Sequence, residues 1–245
     1  MTKIYEAENH LFIHTGYTTP QKHCHMAAHI IVSLEEEMMI AAEDNKCKCR
    51  GILIPLEVSH QIDTNEKPVL VFLYDSTTNV AKNIRDVKYL SDTDCDEIVK
   101  AYLEFEKGDM TAERYETVET IVLEKTGVTD RKRIVMDERI GNALGYIRLR
   151  LAEGVTCKEV AEYVNLSQSR FSHLFKEQVG MTFASYLVYQ RIMHVYAGII
   201  KGKSITESSV EAGFYSASHF ADVNRRVFGL AASDITKDMI FRKIK

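Results

Sequence analysis

Apolar residues change their period partway along the chain. Up to about residue 75 they come in short runs: Leu11–His14, His25–Leu34, Met38–Ala42, Gly51–Ile54 and Val69–Tyr74. Charged or turn-forming clusters separate them, namely Glu35-Glu36-Glu37, Glu43-Asp44-Asn45 and Asn65-Glu66-Lys67-Pro68. Such runs predict strands, and many short strands at this spacing predict a small barrel. From Thr78 the spacing becomes helical. Asp92 and Asp94 precede Cys95–Phe105, Thr111 precedes Ala112–Lys125, and Gly108 and Gly127 close these two segments. Asp130–Asp137 predicts a linker, after which Asp137 caps Glu138–Glu153, with Ile140, Leu144, Ile147 and Leu151 on one face.

The pattern beyond residue 155 is the most specific. Thr156 and Glu159 stand at capping-box spacing ahead of Val160, Ala161 and Val164, and Asn165-Leu166 can turn the chain. Ser167 then caps a helix whose Phe171, Leu174, Phe175 and Val179 form an apolar stripe, ended by Gly180. Gln168, Ser169, Arg170, Ser172, His173 and Lys176 lie off that stripe. Alone, this is any amphipathic helix with a solvated polar face. Preceded by a short helix and a tight turn, it becomes a helix-turn-helix, whose second helix enters the DNA major groove. The plan then returns: Ser204-Ile205-Thr206-Glu207 opens a short helix, Gly213-Phe214 turns, and Ser216 starts a helix that ends at Gly229. Ser167 and Ser216, Phe171 and Phe220, and Gly180 and Gly229 are each 49 residues apart. A connecting helix over Phe183–Lys201, about 20 residues long, would separate the two units by about 30 Å, near one turn of DNA.

On these residues the segment from about 137 to 245 resembles the DNA-binding domain of the AraC/XylS family of transcription regulators. The matching residues are Leu166, Ser167, Phe171-Ser172, Phe175-Lys176, Gly180, Phe183, Tyr186, Arg191, Gly213-Phe214, Ser218-His219-Phe220 and Gly229. The resemblance implies double-stranded DNA as partner, a homodimer, contact with RNA polymerase and no membrane. It places the base-facing residues at Ser169, Ser172 and His173 in the first unit, and at Ala217, Ser218, Ala221 and Asp222 in the second. Arg170, Lys176, Arg225 and Arg226 would hold the backbone. The second unit departs from the family: Asp222 replaces a usual cation, Asn224 a usual core Phe, and Ala231-Ala232 the usual Ser-Pro.

Charge supports the division. The net charge is −4, yet residues 1–136 hold 16 Lys/Arg against 24 Asp/Glu, a balance of −8, whereas residues 137–245 hold 15 against 11, a balance of +4. A mildly basic half on an acidic one fits a DNA reader joined to something else, with salt-sensitive affinity. Five cysteines, an odd number, suggest reduced thiols. Met1–Gly16 lacks an apolar run and no 18-residue apolar stretch occurs, so a cytoplasmic protein is expected.

The expected architecture is α+β and multidomain: a small cupin-like β-barrel (1–78), a helical linker or dimerisation region (79–130), and an all-α domain with two helix-turn-helix units (137–245). The cupin resemblance rests on His23-Cys24-His25, His29, the stretch Gly51–Pro55 and His60. In metal-binding cupins the matching positions ligate a metal, so His23, His25, His29 and His60 are candidates for an effector pocket or a divalent metal. Against a metal, Glu57 replaces the motif's glycine, and the opposite side of the strand (Cys24, Met26, Ala28, Ile30, Val32, Leu34) is the more apolar, which would leave the histidines on a polar face. Cys47 and Cys49 are a further pair on one side of a strand. The rival to a DNA-binding, effector-responsive regulator is a metal-dependent cupin enzyme or metal sensor using the histidine set. It leaves the duplicated C-terminal motif without a purpose, and no catalytic residues beyond that set suggest themselves.

Overall fold

The computed structural model describes residues 2–7, 10–16, 22–24, 27–42, 45–128, 136–228, 231–233 and 240–244. The chain divides into two compact units, one formed by Met1–Arg133 with Arg225–Lys245 and the other by Ile134–Asn224.

The first unit is a three-layer stack of helices, sheet and sheet. Its larger sheet contains β1 (Lys3–Glu6), β2 (His10–Thr15), β3 (Ala27–Ser33), β6 (Gly51–Ile54), β8 (Val69–Asp75), β9 (Lys88–Tyr89) and β10 (Ile240–Lys243), in the order β10-β1-β2-β8-β3-β6-β9. All its pairings are antiparallel except β1 with β10. The smaller sheet has the order β5-β4-β7, from β4 (Met38–Ala42), β5 (Asn45–Cys49) and β7 (His60–Asp63).

Side-chain alternation decides the layering. Every residue of β3 is buried, as expected of a strand covered on both faces. Ala28, Ile30 and Val32 share a core with Leu53, Leu70, Phe72 and the helices α1 (Asn79–Asn83), α2 (Asp92–Glu106) and α3 (Ala112–Thr126). Ile31, Ile52, Ile54, Val69 and Val71 face the other way, onto Met38, Ile40, Ala42 and Ile62 of the smaller sheet. The mixed α+β class therefore stands, but the sheets do not close into a barrel: among the described residues β5 and β7 are edges with no ladder to the larger sheet. A central sheet apolar on both faces must be covered twice, once by helices and once by a second sheet.

Aromatic stacking fills the helix-side core. Phe12 stacks on Phe72 at 4.5 Å and on Tyr5 at 5.1 Å, with Tyr102 edge-on to Phe12. Ser91 caps α2 and Thr111 caps α3, each accepting from the backbone N–H three residues on. Gly127 closes α3 at φ +71°, a left-handed conformation that favours glycine.

The second unit is helical: α4 (Glu138–Arg150), a 3-10 turn at Leu151–Glu153, α5 (Cys157–Tyr163), α6 (Gln168–Val179), α7 (Phe183–Ile200), α8 (Ile205–Glu211) and α9 (Ala217–Phe228), whose last four residues group with the first unit. Phe171 and Phe175 of α6 pack edge-on against Phe183, and Phe175 also against Tyr186, at 5.5–5.7 Å. Gly198 lets α7 and α8 approach closely, because a Cβ there would lie 2.5 Å from Ser208 Oγ.

Candidate nucleic-acid interface

Two helix-turn-helix units form for local reasons. In the first, Thr156 and Glu159 make a reciprocal capping box: Thr156 Oγ1 accepts from the Glu159 N–H at 3.2 Å, and the Glu159 carboxylate accepts from the Thr156 N–H at 2.8 Å. The Thr156 hydroxyl also donates to the Glu159 carboxylate at 2.7 Å, and this bond, with that from the Thr156 N–H, holds the Glu159 carboxyl below its ordinary range. Asn165, at φ +56°, ends α5, with Leu166 N–H donating to Ala161 O and Asn165 N–H to Glu162 O. This pair of bonds is the Schellman closure. Ser167 then caps α6, accepting from Arg170 N–H at 3.3 Å.

The second unit repeats this with one difference. Ser204 caps α8, Gly213 takes φ +84°, and Phe214 N–H and Gly213 N–H donate to Ser209 O and Val210 O. Ser216 accepts from His219 N–H at 3.1 Å at the head of α9. From cap to turn the two units are offset by 48 residues, and from the recognition-helix cap onward by 49. The second turn is thus one residue longer, and Tyr215, 94% exposed, stands in it.

The reading faces are open. Ser167, Gln168, Ser169, Arg170, Ser172, His173 and Lys176 are all exposed, while Phe171, Leu174, Phe175 and Val179 are buried beneath them. Ser169, Ser172, His173 and Lys176 lie three, four and seven residues apart, a spacing that gathers them on one side of the helix. Ser172 Oγ donates to Gln168 O at 2.9 Å and lies 3.3 Å from Cys157 Sγ, so it must turn away from that carbonyl to offer its proton to a base. On α9, Ser218, Asp222, Arg225 and Arg226 are exposed, while Ser216, Ala217 and Ala221 are half-buried. Ser216 serves as the cap, and the two alanines offer only methyl surface.

Asn224 does not simply leave the place of a core aromatic empty. It is fully buried and accepts from Tyr196 Oη at 2.7 Å, which exchanges an apolar contact for a hydrogen bond. Three further residues near this face were not among the DNA-contact candidates, although two of them carry the family resemblance: Tyr215, His219, whose Nδ1 accepts from Tyr215 N–H at 3.4 Å, and Arg191, whose side chain lies beside Gly213. Tyr215 is invisible to a 49-residue comparison because it is the inserted position.

The histidine set lies in the first unit. His25 lies outside the described residues, as does the run Asp130–Val135 of the linker. His23 pairs with His60 in an isolated bridge, their rings 4.4 Å apart, and His29 stands edge-on to His60 at 5.0 Å. His29 and His60 are buried, not spread on a polar face as the strand pattern suggested. The reason is the second sheet, which covers their side of β3. His60 Nδ1 donates to Val58 O at 2.8 Å, and burial, with His23 nearby, pushes its pKa down to about 4. Glu57 takes φ +61°, the backbone its missing glycine would have supplied. Among the described residues, no group of three or more His, Cys, Asp or Glu is arranged to hold a metal ion. Cys47 and Cys49 are likewise free thiols.

Comparison with known proteins agrees with this geometry. Residues 160–238 match the family model described as a helix-turn-helix domain. The chain therefore carries, on its C-terminal side, a helix-turn-helix domain. An uncharacterised HTH-type transcriptional regulator of Staphylococcus aureus is 33% identical over 89 residues, 36% of this chain and 12% of that protein. The melibiose operon regulatory protein of Escherichia coli is 27% identical over 122 residues, 49% of this chain and 40% of that one. This chain thus spans well under half the length of both. Across nearly its whole length it shares the fold of apo ToxT from Vibrio cholerae, with a TM-score of 0.63 at 11% identity, covering 94% of this chain and 97% of that one. ToxT with a bound unsaturated fatty acid matches with a TM-score of 0.56 at 12% identity, covering 96% and 93%.

Proposed function

We propose that the chain is a sequence-specific DNA-binding transcription regulator that responds to a small effector through its sheet-rich unit. The observation that carries this reading is the pair of capped helix-turn-helix units, the first with its apolar stripe buried and the second resting on buried Phe220 and Asn224, each with its polar face open. Ser169, Ser172 and His173 read base edges in the first unit, and Ser218 and Asp222 in the second. Arg170, Lys176, Arg225 and Arg226 hold phosphates and set the register. A carboxylate reads bases mainly by accepting from cytosine N4, so the second helix contributes a narrower readout.

The effector site we assign to the part of the sheet unit around His23, His29 and His60, where the His60 imidazole, kept neutral by burial, donates through Nδ1 and leaves Nε2 able to accept. The fatty acid in one ToxT structure supports a small molecule as the effector class. Homodimerisation through α2 and α3, and contact with RNA polymerase, belong to the same reading.

The test is selection of duplexes from a random library by the full chain, with and without a metabolite extract, followed by sequencing. The expected result is an enriched motif of two half-sites one helical turn apart, altered by the extract. Recovery of unenriched sequence would overturn specific recognition.

A further inference from the structure

We propose that Arg191, on the helix joining the two units, binds a DNA phosphate beside the second helix-turn-helix turn. This rests on the DNA-binding reading and adds to it a residue outside both recognition helices.

The observation is an unmatched cation. Within Ile134–Asn224, Arg139, Arg150, Lys158 and Lys203 pair with Asp137, Glu153, Glu162 and Glu211. Arg148, Arg170, Lys176 and Lys201 are exposed to water. Arg191 is neither. It is half-buried, its Nε is shut off from solvent without a hydrogen-bond acceptor, and it pairs with no carboxylate among the described residues. Withdrawing a guanidinium from water without an anion is costly, and a buried donor left without a partner calls for an explanation, of which an anion held by the same guanidinium is one.

Its position says which ligand. A Cβ built on Gly213 would lie 3.5 Å from Arg191 Nε, 3.6 Å from Cζ and 3.8 Å from one terminal nitrogen. Gly213 is itself exposed and forms the turn three residues before the α9 cap. The guanidinium therefore stands beside the open turn that leads into the second recognition helix, where a duplex backbone passes when that helix enters the groove. A planar fork of N–H donors suits phosphate oxygens. The second unit also has a need for positive charge, because Asp222 puts a carboxylate on its reading face. Packing across the turn, Arg191 would at once neutralise a phosphate and set the angle of α9.

The experiment measures affinity of the full chain for a random-sequence duplex long enough for both units, over a series of salt concentrations. Each neutralised phosphate contributes about 0.9 to the slope of log affinity against log salt. Arg191→Gln, which keeps the Cβ–Cγ–Cδ stem and a neutral N–H donor but removes the charge, is expected to lower the slope by about 0.9 and to weaken binding equally for all sequences. Arg191→Lys is expected to restore the slope. A melting temperature near wild type in both variants completes the expected result. An unchanged slope in Arg191→Gln would overturn the proposal, and so would loss of folding in both variants, which would make Arg191 a cation serving the C-terminal end of α8. If the wild-type protein itself shows no salt-dependent binding, the DNA-binding reading fails, and that outcome is distinct from either.

Discussion

Acid should loosen the sheet unit well before it touches the helical one. His10 and His60 are both buried, and burial holds the pKa of each at about 4 against an ordinary 6.5. The Glu119 carboxylate lies 3.5 Å from His10 Nδ1, a distance that would favour the imidazolium, but desolvation of the buried ring outweighs it. His10 Nε2 meets Tyr115 Oη at 2.5 Å, and its ring stacks on Tyr74 at 4.4 Å. Because the folded pKa is depressed, the unfolded chain takes up protons first. The neutral fold is thus undisturbed above about pH 6.5, loses stability as pH falls through that value, and stops losing it below about pH 4. Each histidine contributes roughly 2 kcal/mol of loss at about pH 5 and about 3 kcal/mol in full, so the pair removes roughly 4 kcal/mol at about pH 5. The histidines of the helical unit, His173, His194 and His219, are all exposed. Hydrogen exchange at several pH values separates the two units; His10→Gln and His60→Gln should each remove roughly 2 kcal/mol of the loss at about pH 5 in the sheet unit, and His14, also depressed by burial, keeps a share of the slope. Equal acid sensitivity in both units, or imidazole titrations near 6.5 for His10 and His60, would refute the reasoning.

Three further outcomes concern the reader. His173→Ala should relax specificity at one base position and cost roughly 1–3 kcal/mol on the selected site, whereas a loss uniform across sequences in a binding-site array would mark it as a phosphate contact. Asp222→Arg should raise affinity for all duplexes at fixed salt, since it replaces a repelled charge with an attracted one; titration showing weaker binding would contradict this. Asn224→Ala should destabilise the helical unit by about 1–3 kcal/mol by taking away the Asn224 partner of the Tyr196 hydroxyl. Combined with Tyr196→Phe, it should cost less than the two single changes summed, and additive urea midpoints would show that the bond carries no coupling.

What could be read from the sequence was what depends on local chemistry. Thr111, Ser167 and Ser204 cap because their hydroxyls reach backbone N–H groups three residues away, and Gly127 and Gly180 end helices in left-handed backbone. Those signals sit within one turn of chain, and most of the helical half follows from them. The sheet half is set at long range. β10 pairs with β1 across more than two hundred residues, and nothing in Ile240–Lys243 alone announces that pairing. Burial of β3 on both faces depends on a second sheet whose β5 reads as polar, Asn-Lys-Cys-Lys-Cys. Hence β2, β3, β4, β6 and β8 were visible as strands, while β1, β7, β9 and β10, and the assembly into two unclosed sheets, were not. The same limit applied to the histidines: period two placed His23, His25 and His29 on one side of a strand, but β3 holds only His29, and the pattern could not say that Ile40 and Ile62 would cover its side.

The two reading heads share a plan and divide its labour. The first rests on an aromatic cluster of Phe171, Phe175, Phe183 and Tyr186, and carries Arg170, His173 and Lys176 outward. The second rests on Phe214, Phe220 and a polar Tyr196–Asn224 bond, with two buried serines on α8. It presents a carboxylate and small side chains outward. A rigid apolar base fixes side chains well enough for bidentate base contacts, so sequence discrimination should concentrate in the first head. The second keeps its cations at the edges, at Arg191 beside the turn and at Arg225 and Arg226 on the last turn of α9, where, on the proposed reading, they meet the phosphate backbone and not the bases. On this view Asp222 is tolerable because the attraction lost at the centre of the second face is supplied from its rim, and the second head chiefly adds affinity and register to a readout performed by the first.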